Sequence, residues 1–242
     1  KNSSLYSKKD SDFDNWNVFK ISHYDKVQKY DDLKDAKLAN ETESETEQTL
    51  ETITTAEQEN AVIDRSETFA LLNDMKAGWN LGNTLDAHAS ADLTSETSWG
   101  NPKTTPEMIQ AIAQEGFHTL RIPVTWSKHV SAGPEYKIDA AWMDRVEEVV
   151  KYALDCDMYV ILDTHHEPDY WLKPQSDGLD EVQNELCAIW QQIAERFADY
   201  DEHLLFEGMN EPRIKGSAQE WSGGDADGRA AVNTLNQAFV DT

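Results

Sequence analysis

The sequence contains few cysteines, few basic residues and no long apolar run. Its 242 residues include two cysteines, Cys156 and Cys187, and neither lies in a Cys-x-x-Cys or other metal-ligand spacing. We expect unpaired, packed thiols, with a disulfide as the alternative. No stretch of about 18 apolar residues is present, so no membrane-spanning segment is predicted.

Basic residues are scarce relative to acidic ones. Lys and Arg number 21 against 46 Asp and Glu, which gives a formal net charge of −25 and a sequence pI near 4.4. This charge opposes binding to nucleic acid or to an anionic membrane surface, whereas a neutral polymer is not repelled. Eight Trp and eight Tyr provide flat apolar rings, which can either pack in a core or stack on sugars.

Two regions differ in composition. Residues 1–65 are rich in charge, Ser and Thr, and residues 40–60 alternate Glu with Thr, Ser and Gln. This composition predicts a disordered acidic linker, which leaves room for additional modules upstream. An apolar piece at residues 13–24 suggests, as an alternative, the remnant of such a module. Residues 66–242 have the pattern of apolar and polar residues that is typical of a folded domain.

Residues 66–242 alternate short apolar runs with segments of helical period. The predicted strands are residues 78–83, 118–124, 158–162 and 204–209, and the helices between and after them begin near residues 106, 138, 182 and 228. Four βα units with short helix-to-strand turns predict the first half of a (β/α)₈ TIM barrel. An open, doubly wound sheet is the alternative, although no Gly-x-Gly-x-x-Gly follows any strand.

Polar residues end each predicted strand. The set is Asn80 and Asn83 for the first, Arg121 within the second, His165 and His166 for the third, and Asn210 and Glu211 for the fourth. In a barrel these residues meet on one rim. An Arg inside an apolar strand requires either an ion-pair partner or a functional role. A Glu after a strand is often only a cap or an ion-pair partner, but Glu211 can also supply the protonated carboxyl that glycosidic cleavage requires.

Several motifs of the sequence resemble glycoside hydrolase family 5, in particular its bacterial endoglucanase branch. These motifs are residues 78–87 (GWNLGNTLDA), 96–102 (ETSWGNP), 121–126 (RIPVTW), 163–167 (DTHHE) and 210–212 (NEP). The resemblance implies retaining, endo-acting hydrolysis of β-1,4-glucosidic bonds in cellulose or related β-glucans, without a cofactor. Xyloglucan, xylan and mannan are the alternative substrates within this family.

The resemblance also implies roles for individual residues. Glu211 corresponds to the catalytic acid/base, Asn210 to the residue that holds the sugar 2-hydroxyl, Arg121 to the residue that orients the nucleophile, and His165 to a residue at the point of cleavage. Asn83, His166, Trp99 and Trp126 are the expected substrate-binding residues. Family members carry their nucleophilic glutamate on the seventh strand, which lies beyond Thr242. We therefore expect these residues alone to be inactive.

Two rival functions remain open. A metal hydrolase would use the ligand types at the strand ends, namely Asp163, His165, His166 and Glu211. Adjacent histidines on an extended strand point to opposite faces, however, so no metal is predicted. A non-catalytic carbohydrate-binding protein would use tryptophans for sugar stacking, with Trp79, Trp99, Trp126 and Trp171 as the candidates, although each can equally be a packing residue. An acidic, linker-bearing enzyme that acts on an insoluble polymer is expected to be extracellular.

Overall fold

The computed structural model describes residues 17–20 and 66–242 as helices, strands and connecting loops. The strands are β1 (Asn17–Lys20), β2 (Ala77–Asn80), β3 (Thr119–Ile122), β4 (Tyr159–Asp163) and β5 (Leu204–Glu207). The α-helices are α1 (Ser66–Met75), α2 (Pro106–Gln114), α3 (Ala140–Leu154), α4 (Leu179–Arg196) and α5 (Ala226–Asp241). Short 3-10 helices span Leu93–Thr97 and Glu167–Asp169. Residues 75–242 form one compact unit, and residues 66–74 of α1 fall outside it.

The strands form one sheet in the order β1-β2-β3-β4-β5. The pairs β2–β3, β3–β4 and β4–β5 are all parallel. A doubly wound sheet reverses its strand order at a switch point, whereas a barrel adds each strand beside the previous one. The described strands show no such reversal. The predicted barrel topology is therefore confirmed, with four consecutive βα units among the described residues.

Helix α2 illustrates why these residues form these elements. Thr105 is its N-cap and accepts a hydrogen bond from the backbone N–H of Met108, and Pro106 occupies the first helical turn. Gly116 follows the helix with φ 91°, a left-handed conformation that costs little only for glycine. Ile109 is fully buried on the inner face. Start, stop and buried face all agree with the sequence prediction.

Alternation along the strands separates the core from the site. Leu120, Ile122, Val160 and Leu162 are fully buried in the main apolar cluster. The intervening residues, which include Arg121 and Ile161, point to the opposite face of the sheet and are only partly buried. The buried apolar side chains of these strands thus lie on one face, and the other face carries polar groups such as Arg121 and the buried Asp163.

A buried ion pair anchors the long loop between β2 and α2 onto α3. Arg145 donates from Nε and Nη2 to the carboxylate of Glu96 at 2.9 and 2.8 Å, and both side chains are 2% exposed. Glu96 also accepts from the backbone N–H of Thr104, and Arg145 donates to the Thr104 carbonyl. These bonds satisfy both charges, which a buried ion pair requires. The loop that carries Asp86, His88 and Trp99 is thereby fixed against the domain.

The structure differs from the sequence prediction in several elements. Asn17–Lys20 forms a strand inside the predicted disordered tail, whereas the rest of residues 1–65 lies outside the described residues. Helix α1 was not predicted. Strands β2, β3 and β5 end two or three residues earlier than expected.

Cys156 and Cys187 are both free thiols. In the described part of the chain no helix has the length and apolar character needed to cross a membrane.

Glu167 is a fully buried carboxyl group that fixes the segment following β3. It accepts hydrogen bonds from the backbone N–H of Trp126 and from the hydroxyl of Ser127. Burial raises the pKa of Glu167 to about 7, against the opposing effect of these hydrogen bonds. The ordinary pKa of a glutamate side chain is 4.5. Folded and unfolded chains therefore hold different numbers of protons between those two pH values.

We predict that Glu167 makes folding less stable as the pH rises. Between pH 4.5 and about 7 the unfolded chain has lost this proton and the folded chain retains it, so the free energy of unfolding falls by up to ~3 kcal/mol. Glu167→Gln should remove this slope and be more stable than the original chain at pH 8, but not at pH 5. Urea unfolding at both values measures the difference. Exposed Glu202→Gln is the control, and a pH-independent difference between Glu167→Gln and the original chain would contradict the prediction.

Candidate active site at the carboxyl ends of the strands

The carboxyl ends of β2 to β5 bring polar side chains together at one edge of the sheet. In the parallel register Asn80 lies beside Arg121, and Asp163 lies beside Glu207. Arg121 itself is paired with Ile161, so Asp163 and Glu207 lie two residues further along their strands. Because side chains alternate between faces, these four polar groups share one face in two adjacent layers.

Arg121 is the centre of this cluster. Its Nε donates to Glu207 Oε2 at 2.7 Å, and its Nη2 lies 2.5 Å from Glu207 Oε1. Nη2 also lies 2.7 Å from Asp163 Oδ2 and 3.1 Å from the side-chain oxygen of Asn210. Nη1 donates to the side-chain oxygen of Asn80 at 3.1 Å. Contacts from three neighbouring strand ends thus hold the guanidinium in one orientation.

The charges around Arg121 reinforce one another. Burial lowers the pKa of Arg121, but the hydrogen bond to Glu207 and the charge of Asp163 outweigh burial and raise it. The guanidinium therefore stays charged at every working pH. Because Glu207 binds the guanidinium through both of its carboxylate oxygens, a lysine could not reproduce the contact.

His165 is oriented by the same buried carboxylate. Its Nδ1 lies 2.7 Å from Asp163 Oδ2, and Asp163 is fully buried and also accepts from the backbone N–H of Val124. Burial lowers the pKa of His165, but the hydrogen bond and the charge of Asp163 outweigh it and raise the pKa. The contact at Nδ1 leaves Nε2 of His165 as the ring nitrogen available to a ligand.

An aromatic wall stands beside His165. The ring of Trp99 lies 5.4 Å from that of His166 and 4.9 Å from that of His88, and the hydroxyl of Tyr170 lies 2.7 Å from Nδ1 of His88. Trp99 remains 39% exposed. Its accessible ring has the apolar surface and fixed surroundings on which a sugar can stack.

Asn210 and Glu211 occupy different surroundings although they are adjacent. Asn210 contacts Arg121, and its backbone N–H donates to the carbonyl of Thr164 at 2.9 Å. Glu211 has φ 46° and a side chain that is 54% exposed. Its Oε2 lies 3.2 Å from Nη1 of Arg213. In the described residues no hydrogen bond or ion pair joins Glu211 directly to Arg121.

Arg213 connects Glu211 to a groove beyond it. Arg213 also contacts Glu220 at 3.0 Å, and its guanidinium lies 4.5 Å from the ring centre of Trp221. The groove has a volume of about 530 Å³, and its lining includes Pro212, Arg213 and Glu220. Glu211 therefore stands in the chain between Asn210 of the Arg121 cluster and Pro212 of the groove.

Two of the predicted substrate-binding residues, Trp126 and Asn83, lie in different surroundings. Trp126 is fully buried, and its Nε1 donates to the carbonyl of Asp163 at 3.1 Å. The expectation that Trp126 binds substrate is therefore wrong, because its ring belongs to the core. Asn83 lies in the loop after β2 with φ 59°, a left-handed conformation that Asn tolerates. Its place on the rim agrees with the prediction, while its role as a ligand stays a prediction.

The expectation that His165 and His166 point to opposite faces is also wrong. Strand β4 ends at Asp163, so the two histidines that follow it do not alternate as they would in an extended strand. The rings of His165 and His166 lie 4.6 Å apart, and one ligand atom from each lies within 4.8 Å of one carboxylate oxygen of Asp86. These three residues could hold a metal ion.

Sequence reasoning gave no role in the sugar site to three carboxylates, namely Asp86, Asp163 and Glu207, and named Asp163 only as a candidate metal ligand. Asp163 and Glu207 each end an apolar strand, where an acidic residue is as unusual as Arg121, whereas Asp86 lies in the loop after β2. That signal was available for Glu207, which ends the run Leu204–Glu207. The partner of each carboxylate could not be predicted from the sequence, because it depends on the stagger between strands.

Comparison with known proteins agrees with this geometry. Residues 86–242 match the family Cellulase (glycosyl hydrolase family 5). Endoglucanase A of Ruminococcus albus is 55% identical over 172 residues, which cover 71% of this chain and 47% of that protein. Cellulase/esterase CelE of Acetivibrio thermocellus is 50% identical over 172 residues, with 71% and 20% coverage.

Solved structures give the same result. A xyloglucan-specific family 5 endo-β-1,4-glucanase from a metagenomic library, in complex with cellotriose, has a TM-score of 0.72 and 54% identity, covering 74% of this chain and 53% of that one. A broad-specificity endoglucanase of Ruminococcus champanellensis with bound cellotriose has a TM-score of 0.69 and 51% identity, with 71% and 51% coverage. The chain spans about half the length of these structures. It belongs to glycosyl hydrolase family 5, and its strands and helices are part of that family's (β/α)₈ barrel.

Proposed function

We propose that this chain provides the acid/base side of the active site of a retaining endo-β-1,4-glucanase. The observation that carries the proposal is the Arg121 cluster, which holds Asn210 against the same guanidinium that contacts Asp163. Glu211 follows Asn210 directly, so their Cα atoms are about 3.8 Å apart. A residue with an amide for a sugar hydroxyl is thus followed directly in the chain by one with a carboxyl for proton transfer.

The geometry supports a division of labour in the reaction. Glu211 donates a proton to the glycosidic oxygen as the bond breaks, and later removes a proton from the attacking water. Its carboxyl must turn from Arg213 toward the cleft for the first step. Arg121 supplies fixed positive charge beside the position of the nucleophile, and His165 presents its free Nε2 to the sugar. These steps are proton transfers and two displacements at the anomeric carbon, first by a carboxylate and then by water, so they require no cofactor.

The second carboxylate belongs to a longer polypeptide in this proposal. Retention requires two carboxyl groups about 5 Å apart on opposite sides of the anomeric carbon. From the family resemblance we expect the second on the seventh strand, and this chain spans only about half of the solved structures that it matches. We infer that residues 66–242 form the amino-terminal half of a catalytic barrel that continues beyond Thr242.

A β-1,4-glucan is the substrate class that we favour. Structures of two close relatives contain cellotriose, and one of these relatives is described as xyloglucan-specific. The exposed ring of Trp99 gives a surface for stacking a sugar, and a neutral glucan is not repelled by a net charge of −25. Xyloglucan is the main alternative, because its backbone has the same linkage.

The proposed enzyme acts outside the cell. Its substrate is an insoluble polymer, and the acidic segment before residue 66 has the composition of a linker between modules. Detection of the protein in culture supernatant rather than in the cell pellet would support secretion.

The 242-residue chain alone is expected to release no sugar from β-glucan. The reason is that proton donation without a nucleophile leaves the glycosidic carbon without an attacking group. Reducing-sugar release by purified chain, compared with the full-length enzyme at equal concentration, measures this. Turnover above about 1% of the full-length rate would contradict the assignment of only one catalytic carboxyl to these residues.

In the full-length enzyme, Glu211→Gln should abolish proton donation while leaving the cleft intact. Hydrolysis of cello-oligosaccharides should fall by about 10²–10⁴-fold. Aryl glycosides with good leaving groups should lose less, and added azide should restore their turnover as a glycosyl azide, since azide needs no general base. The matched control is Glu220→Gln, which contacts the same Arg213. Cello-oligosaccharide hydrolysis within threefold of the original enzyme would exclude Glu211 as the acid/base.

A further inference from the structure

Asp86, His165 and His166 form a cluster of metal-ligand groups beside the proposed sugar site. One ligand atom from each residue lies within 4.8 Å of the other two. Asp86 Oδ2 lies 3.6 Å from Nε2 of His166, which is longer than a hydrogen bond. Tetrahedral zinc places its ligand atoms about 3.3 Å apart. The Asp86–His166 distance is already close to this value, and the ligand atom of His165 lies within 4.8 Å of both.

Two of the three ligands, Asp86 and His165, are held by a second contact that leaves a metal-binding atom free. Asp86 Oδ1 accepts from the backbone N–H of Thr84 at 2.8 Å, so Oδ2 faces the histidines. Nδ1 of His165 is engaged by Asp163 at 2.7 Å, so Nε2 is the free nitrogen. A carboxylate behind a ligating histidine is the usual support in zinc sites, because it fixes the ring and increases its basicity.

The surroundings favour a cation. Asp86 and Asp163 are both buried, and Glu207 adds a third carboxylate to the neighbourhood, against the single guanidinium of Arg121. The side chains of His165 and His166 are 14% and 28% exposed, which gives an ion a route from solvent. Two imidazoles and one carboxylate favour Zn²⁺, Cu²⁺ or Ni²⁺ over Mg²⁺ and Ca²⁺, which prefer all-oxygen sites.

We infer that Asp86, His165 and His166 bind one borderline divalent transition-metal ion, with zinc as its type, leaving a fourth position open to water. The ion has no part in the proposed hydrolysis. If the proposed function is right, an ion on Nε2 of His165 occupies the place where the sugar is expected, so it excludes substrate. Metal binding itself depends only on the geometry of these three side chains.

The test uses the purified 242-residue chain after chelator treatment. Zn²⁺ is titrated against a chromophoric chelator, and Co²⁺ is added separately to record the absorption of a tetrahedral ion. We expect one Zn²⁺ per chain, competition by Co²⁺ with intense visible bands, and no displacement by Mg²⁺. His166→Ala and Asp86→Asn should each weaken Zn²⁺ binding by about 100-fold or more.

The control is His203→Ala, which removes an exposed histidine beside Asp201 at 3.1 Å. This variant should bind Zn²⁺ like the original chain. Circular dichroism checks that each variant is folded, and if one does not fold, the other variant decides together with the Co²⁺ spectrum. No Zn²⁺ binding by the original chain, or unchanged binding in the folded His166→Ala or Asp86→Asn variant, would overturn the inference. Neither result depends on hydrolytic activity.

Discussion

The guanidinium of Arg121 is the interaction on which the site depends. Arg121 occupies a position in a core strand where an apolar residue is usual. Its charge is offset by Asp163 and Glu207 from the next two strands. Removal of one partner would leave an uncompensated charge in a partly buried position, which is why such clusters constrain their neighbours strongly. Through Asp163 the constraint reaches His165, and through Asn210 it reaches the residue before Glu211. Each proposed catalytic residue is thus linked to Arg121 directly or through one neighbour.

Much of the fold could be predicted because helix and strand periodicities differ and because end signals such as Thr105 and Gly116 are local. The strand ends were set too late, since Leu81, Val124 and Gly208 remain buried after the ladder ends and look like strand residues in the sequence. Strand order could be inferred only through the choice of a barrel. The parallel, unreversed register then confirmed that choice.

The site could be predicted in part, for a physical reason. Polar residues at strand ends are visible in a sequence, and Arg121, His165 and Asn210 do meet. Their partners depend on the stagger of neighbouring strands, which no local pattern records, so the roles of Asp163 and Glu207 were missed. The error over Trp126 has the same origin, because a tryptophan just after a strand has the same sequence signal whether its ring turns inward or outward. The histidine pair was misjudged because β4 ends at Asp163, before either histidine.

Arg121→Lys in the full-length enzyme tests the central claim most directly. Lysine keeps the charge but cannot hold Glu207 through two nitrogens while also contacting Asp163 and Asn210. We expect kcat on cello-oligosaccharides to fall by roughly 100-fold or more, as when a preorganised electrostatic group is lost, with KM little changed. A thermal melt confirms that the variant is folded. A folded Arg121→Lys enzyme with kcat within a few-fold of the original would contradict the account.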